Sequence, residues 1–188
     1  MIKIGITGSL ASGKTTASKI ISSRRGPLFS ADKVVKKLYT QNNFKKLIAR
    51  KLNFKLDKNF KKKLKNEILQ KKEILQKLEK TIHPLVRREM FIFLRRNKNR
   101  KFLFFEIPLL IESKLTKYFD VLIFIKSKNN LRLKRYILKG GNIHLFSLLD
   151  KHQIKDTKKM KFCDHIVVNN KSLSILKRRL SNIIKLYE

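Results

Sequence analysis

Gly8-Ser9-Leu10-Ala11-Ser12-Gly13-Lys14-Thr15 is a full match to the pattern G-x-x-x-x-G-K-[ST], whose chemistry is the capture of phosphate. Glycines at both ends open backbone angles closed to other residues, so successive N–H groups can converge on one anion. A helix starting at the end of the loop adds partial positive charge. Lys14 can reach β- and γ-phosphates, and the Thr15 hydroxyl is placed to ligate a Mg²⁺ that bridges them. The competing reading is a chance glycine turn. The surroundings speak against it: a β-branched run, Ile2 to Thr7, precedes the loop, and Thr16-Ala17-Ser18-Lys19-Ile20-Ile21 can open a helix after it.

Phosphoryl transfer to an alcohol also needs somewhere for the alcohol's proton to go. Asp32 follows the strand-like Pro27-Leu28-Phe29-Ser30 and is one of only 13 acids in the chain. It suits a general base, and equally an N-cap for a helix starting near Lys33. Glu106 closes the run Phe102-Leu103-Phe104-Phe105. A carboxylate there can hold Mg²⁺ through water, or serve as a hinge or cap beside Pro108. His83 could meet a substrate phosphate; the reading preferred on sequence alone is a cap for the helix that Pro84 begins.

Five elements must position these residues. Strand-like runs fall at Ile2 to Thr7, Pro27 to Ser30, Lys101 to Ile107, Val121 to Ile125 and, more weakly, His165 to Val168, with helical patterns between them. That alternation predicts an α/β fold with a mostly parallel five-stranded sheet, whose site lies beyond the carboxyl ends of the strands. From Val34 to Asn97 no strand is evident. Phe60, Leu64, Ile68, Leu75, Leu78 and Ile82 keep helical spacing until His83-Pro84 breaks it, and a new helix then carries Val86, Met90 and Leu94. A helical insertion over residues 33–98 is a natural place for a second substrate. Residues 128–160 are basic and helical, broken by Gly140-Gly141, with Arg132, Lys134, Arg135 and Lys139 before the break. Such a hairpin is either a lid that excludes water or an ordinary solvated pair; the lid is preferred. The last helix carries Leu173, Leu176, Leu180, Ile183 and Tyr187 as core packing.

The chain has 188 residues, which suits one domain with an inserted subdomain. No apolar run reaches the ~18 residues of a membrane span. Lys3 interrupts any secretory pattern at the start, and the single cysteine, Cys163, fits a reducing cytoplasm. Lys and Arg total 47 against 13 acids, a formal charge of +34. The even spread of lysines, together with many Ile, Asn and Phe, favours a compositional drift. An anionic substrate ranks next and a nucleic-acid partner last. Tryptophan is absent, so no base-stacking platform is evident.

Taken in order, these residues resemble the dephospho-coenzyme A kinase family over nearly the whole chain. Ile6-Thr7-Gly8 with Ser12-Gly13-Lys14-Thr15-Thr16 is similar to the family's opening. Ser30-Ala31-Asp32 resembles its Asp-Ala-Asp turn, Ile82-His83-Pro84-Leu85-Val86 its His-Pro motif, and Glu106-Ile107-Pro108-Leu109-Leu110-Ile111-Glu112 its Pro-Leu-Leu-x-Glu motif. Cys163-Asp164-His165-Ile166-Val167-Val168-Asn169 resembles its Ala-Asp-Tyr-Val-Ile-Asp-Asn segment. The phosphate loop alone is common to many kinases; the ordered set of five is far more specific.

The resemblance implies a single P-loop domain over 1–188 with three α/β/α layers, a helical acceptor region and a lid. It implies transfer of the γ-phosphoryl of ATP, with Mg²⁺, to the ribose 3′-hydroxyl of dephospho-coenzyme A, the last step of coenzyme A synthesis. On this view Gly8 and Ala11 to Thr16 bind ATP, with Arg135 in the lid and Asn169 near the adenine. Lys14 and Asp32 are catalytic. Asp32, His83, Arg87, Pro108 and Leu109 meet the acceptor, and Thr15 and Glu106 (through water) serve the metal. The expected partners are ATP and dephospho-coenzyme A, with no specific nucleic acid and no membrane, for a cytoplasmic protein whose oligomeric state is left open, a monomer being favoured. Three departures stand out. Ser30 replaces the first acid of the turn, Ala11 replaces a loop glycine with Ser9 as the neighbour after Gly8, and Lys139-Gly140 replaces an Arg-Asp pair in the lid. Lysine keeps the charge but not arginine's bidentate geometry. The rivals are another small-molecule or nucleoside kinase on the same fold and, from a different class, a nucleic-acid-binding ATPase.

Overall fold

The computed structural model describes residues 1–188, apart from the side chains of Lys61 and Lys72. Every run read as a strand is one. β1 (Ile2–Gly8), β2 (Leu28–Ser30), β3 (Phe102–Glu106), β4 (Val121–Lys126) and β5 (His165–Val168) form one sheet in the order β2-β3-β1-β4-β5. All four pairings are parallel. The helices are α1 (Lys14–Ser22), α2 (Ala31–Leu38), α3 (Asn42–Leu52), α4 (Phe60–Gln70), α5 (Lys72–Arg96), α6 (Asn129–Ile137), α7 (Ile143–His152), α8 (Asp156–Met160) and α9 (Leu173–Lys185).

The chain divides into two compact units, Met1–Ser30 with Leu94–Glu188, and Ala31–Phe93. In the first, the central strands are buried on both faces, which is why β3 and β4 read as unbroken apolar runs. On one face Ile4, Ile6, Phe104, Ile123 and Ile125 pack with Ala17 and Ile21 of α1 and with Leu176, Leu180 and Ile184 of α9. Leu173, expected to pack in the core, is exposed instead, as the first residue of α9. On the other face Phe105 stacks between Phe29 and Phe119, with ring centroids 5.9 and 5.2 Å away.

The second unit is helical. Phe44, Ile48 and Leu52 of α3, Phe60 and Leu64 of α4, and Ile74 and Leu78 of α5 make its core. Two readings need correction here. The break expected at His83-Pro84 is absent: α5 runs through Pro84, and the chain breaks at Lys71, whose backbone is extended. His83 is therefore mid-helix and is not the N-cap of a new helix. An interior proline costs about 3 kcal/mol. Ile74, Leu75 and Leu78 before it and Val86 and Met90 after it are all buried, each contributing roughly 1.5–3 kcal/mol, so the continuous helix wins. Asp32 is likewise not an N-cap, because α2 already begins at Ala31. It sits in the first turn, where the helix dipole favours a carboxylate.

The segment 128–160 folds as α6, α7 and α8. Gly140 ends α6 in the left-handed region (φ 78), and the N–H groups of Gly140 and Gly141 return to the Ile137 and Tyr136 carbonyls at 2.8 and 3.0 Å. The Asn142 side chain then caps α7, accepting from the N–H groups of His144 and Leu145 at 2.9 and 3.2 Å.

Candidate active site

The carboxyl ends of the parallel strands deliver the polar residues together. The phosphate loop leaves β1 at Gly8, Ser30 and Glu106 end β2 and β3 side by side in register, and Ser127 and Asn169 follow β4 and β5 directly. Gly8 is at φ 148, and a Cβ there would lie 2.4 Å from the Ile125 carbonyl oxygen. Gly13 opens α1 at φ 95, and a Cβ there would lie 2.2 Å from Asn169 Nδ2. Neither position tolerates a side chain. Ala11 takes a left-handed conformation too, at φ 57.

Three donors converge on one carbonyl at the back of the loop. Asn169 Nδ2, Ser127 Oγ and an Arg135 guanidinium nitrogen donate to Ser12 O at 2.9, 3.2 and 3.4 Å. Arg135 also donates to Ser127 Oγ at 2.9 Å and to Asn169 O at 3.0 Å. In a trans peptide the carbonyl and the following N–H point oppositely. Pinning Ser12 O from behind therefore turns the Gly13 N–H to the front, where an anion nest needs it. Arg135 and Asn169, expected at lid and adenine, brace the loop here. Ser127 was not singled out in the sequence at all.

At the front, Lys14 Nζ donates to Ser9 O at 2.8 Å, with the side chain buried. Thr15 Oγ1 donates to Glu106 Oε1 at 2.5 Å, and Ser30 Oγ donates to Glu106 Oε2 at 2.9 Å. Glu106 is 1% exposed. A hydroxyl and a carboxylate at that separation are hard oxygen donors of the kind Mg²⁺ prefers. Among the described residues no group of three or more His, Cys, Asp or Glu gathers as a metal cage. Thr15 and Glu106 thus form a partial set that a nucleotide's phosphates and water would complete. Pro108 and Leu109 lie just past β3, and the Pro108 carbonyl accepts from Thr7 Oγ1 at 3.0 Å. Thr16 is exposed on α1. In the helical unit Asp32 is exposed, and His83 and Arg87 share one face of α5 at i, i+4 spacing.

The segment after β4 is fastened down more firmly than its composition suggests. Arg132 is 6% exposed and forks onto Asp150 of α7 at 2.5 and 3.1 Å. It also reaches Leu10 O in the loop at 3.3 Å. Asp156 of α8 accepts from the loop's Ser9 hydroxyl. Lys159, fully buried, pairs with Glu112 at 2.6 Å and donates to Gln153 Oε1 at 3.2 Å. Glu112 was carried by the Pro-Leu-Leu-x-Glu motif; for Asp150 and Asp156 the one signal was the scarcity of acids in so basic a chain.

A family model described as dephospho-CoA kinase matches residues 2–174. The chain is 31% identical to the dephospho-CoA kinase of Rickettsia typhi, over 98% of this chain and 97% of that one. Among solved structures it is similar to a dephospho-CoA kinase from Campylobacter jejuni, with 27% identity and TM-score 0.64 over 97% and 95% of the two chains. A Thermus thermophilus protein superposes with TM-score 0.80 at 24% identity, covering 100% of this chain and 98% of its own. That last likeness concerns the fold, which is the P-loop kinase architecture expected from the sequence.

Proposed function

The chain belongs to the dephospho-CoA kinase family, and from that premise we propose how its residues divide the reaction. The reaction transfers the γ-phosphoryl of ATP to the ribose 3′-hydroxyl of dephospho-coenzyme A, the last step of coenzyme A synthesis. Gly8 and Ala11 to Thr16 wrap the triphosphate, with Lys14 along its terminal groups. Asp32 accepts the hydroxyl proton as the 3′-oxygen bonds to Pγ and the bond from Pγ to the β-phosphate oxygen breaks, releasing ADP. Positioning and charge neutralisation supply most of the acceleration. Thr15 would ligate Mg²⁺ directly and Glu106 through water; bound there, the ion neutralises phosphate charge.

Residues 33–98 form the acceptor region in this reading. His83 and Arg87, one turn apart, supply adjacent donors for the anionic acceptor, while Pro108 and Leu109 supply an apolar contact. Residues 128–160 close over ATP, with Arg135 and Asn169 at the nucleotide. The proposal extends to a cytoplasmic monomer with no nucleic-acid or membrane partner. What carries it is the link at the front of the loop: Glu106, buried, joins the Thr15 hydroxyl to Ser30, two residues before Asp32. A loop built only to bind nucleotide needs no such tie to the strand that leads into the base.

The test is mass detection of coenzyme A formed from ATP and dephospho-coenzyme A, with nucleosides, nucleoside monophosphates and shikimate as competing acceptors. Coenzyme A should accumulate with an equal amount of ADP. Turnover with a nucleoside alone would reassign the acceptor and leave the loop's role standing.

A further inference from the structure

Ser9 joins two opposite charges at the rim of the phosphate loop. Its carbonyl accepts from Lys14 Nζ at 2.8 Å, and its hydroxyl donates to the Asp156 carboxylate. The carboxylate and the phosphate-binding ammonium are thus linked through a single residue. Ser9 itself is buried, whereas Asp156 is half-exposed to solvent and its charge is open to screening.

Asp156 is also held in place rather than merely near. It starts α8, whose Lys159 is fully buried against Glu112 at 2.6 Å. Glu112 Oε1 accepts the Ile154 N–H at 3.2 Å as well, fixing the approach to the helix. On the neighbouring helix Asp150 is neutralised by the Arg132 fork, and Glu112 by Lys159. Of the three acids in this group, Asp156 alone has a hydroxyl rather than a cation as its partner among the described contacts. Its negative charge is left to act on the loop.

We propose that Asp156 is a positioning residue that lowers the enzyme's affinity for nucleotide, setting a carboxylate against the triphosphate through Ser9 so that ADP can leave. The idea rests on the reading of the loop as the ATP site. Its physical rationale is the whole-chain charge. An excess of 34 positive charges attracts every polyphosphate, product as well as substrate. Turnover in kinases with closing segments is often limited by release. One acid on the segment that contacts the loop opposes that attraction where it matters, and the Ser9 hydroxyl makes the closed segment and the loop move together.

The experiment measures ADP and ATP·Mg²⁺ dissociation constants by calorimetry on the full chain, at low and high salt, for wild type, Asp156→Asn, Asp156→Glu and Ser9→Ala. Asp156→Asn should bind both nucleotides about three- to tenfold more tightly at low ionic strength, a gain shrinking to roughly twofold or less near 0.5 M salt. Asp156→Glu should stay near wild type. Ser9→Ala frees the carboxylate to swing away and should tighten binding by a smaller factor. Unchanged or weaker binding by a folded Asp156→Asn overturns the proposal and leaves Asp156 a mere tether. If Asp156→Asn does not fold, Asp156→Glu and Ser9→Ala decide: a salt-independent change in both overturns it. Wild type that binds no ATP at all would sink the kinase reading instead, a distinct result.

Discussion

Lys14 and Asp32 make separable demands on experiment. Lys14 lies in the loop with its ammonium at Ser9 O, and in its proposed role Lys14→Ala should remove charge stabilisation of the transferred group. Turnover should fall by about 10²–10³, with weaker ATP binding as well. Asp32 is exposed in the first turn of α2. Asp32→Asn should cut kcat by roughly 10²–10⁴ while leaving the ATP dissociation constant within about twofold. Steady-state kinetics paired with calorimetry tell the two apart, and an unchanged kcat would remove Asp32 as the base. Cys163 allows a pH prediction. Burial, and secondarily the Asp164 carboxylate, push its thiol up to about 11. The folded state therefore holds this proton more tightly than the unfolded one. The associated stabilisation is complete below the ordinary thiol range and disappears as pH rises through about 11. Alkylation by iodoacetamide near pH 8 should be about 100-fold slower in the folded chain than in urea. Equal rates would mean that the thiol is not shielded. At this scale the loop's own residues were legible from spacing alone. The back-side braces were not, since Ser127, Arg135 and Asn169 meet Ser12 only because β4 ends beside β1 and β5 beside β4.

Helices were harder to delimit than strands, and Pro84 shows why. The central strands were visible because a doubly covered parallel strand must be an apolar run, and β3 and β4 are such runs, whereas the half-exposed edge strand β5 gave a weaker signal. A helix boundary instead depends on a contest between local cost and burial at a distance. Pro84 is a strong local stop signal, yet buried residues flank it on both sides, and none of that burial can be read from a window around His83. The true break at Lys71 carries neither Gly nor Pro. The contest predicts that Pro84→Ala restores a donor to the Lys80 carbonyl and removes a ring clash, stabilising the protein by about 1–3 kcal/mol. Urea unfolding would report it as a higher midpoint. Because His83 is proposed to meet the acceptor one residue away, the KM for dephospho-coenzyme A should rise as the proline-set geometry relaxes. A stabler variant with unchanged KM would show that Pro84 has no role in shaping the acceptor face. The Gly140 turn runs the other way: the break was legible in the Gly-Gly pair, while its left-handed backbone and the Asn142 cap emerge only in the structure.

On the scale of the whole molecule, charge is the property that sequence announced most loudly and fold explains least. Subtracting 13 acids from 47 bases leaves 34 cations that cannot be paired internally. The described ion pairs are mostly exposed, such as Lys3 with Asp120 and Arg25 with Glu188, and such pairs contribute little. Folding concentrates these like charges, so self-repulsion lowers stability, and salt should relieve it. The Debye length falls from about 10 Å at 0.1 M salt to about 3 Å at 1 M. Raising KCl from 0.05 to about 0.5 M should therefore raise Tm by several degrees, where a protein of balanced charge would hardly respond. The same screening should weaken polyphosphate binding, so stability and nucleotide affinity must move in opposite directions along one salt series. Adding duplex DNA at low salt should show binding with a steep salt slope and no stimulation of ATP turnover. If DNA instead accelerated ATP hydrolysis at physiological salt, the charge would have to be read as a binding surface. The drift in composition would then no longer account for the basic character of this chain, because a drift predicts attraction without catalytic coupling.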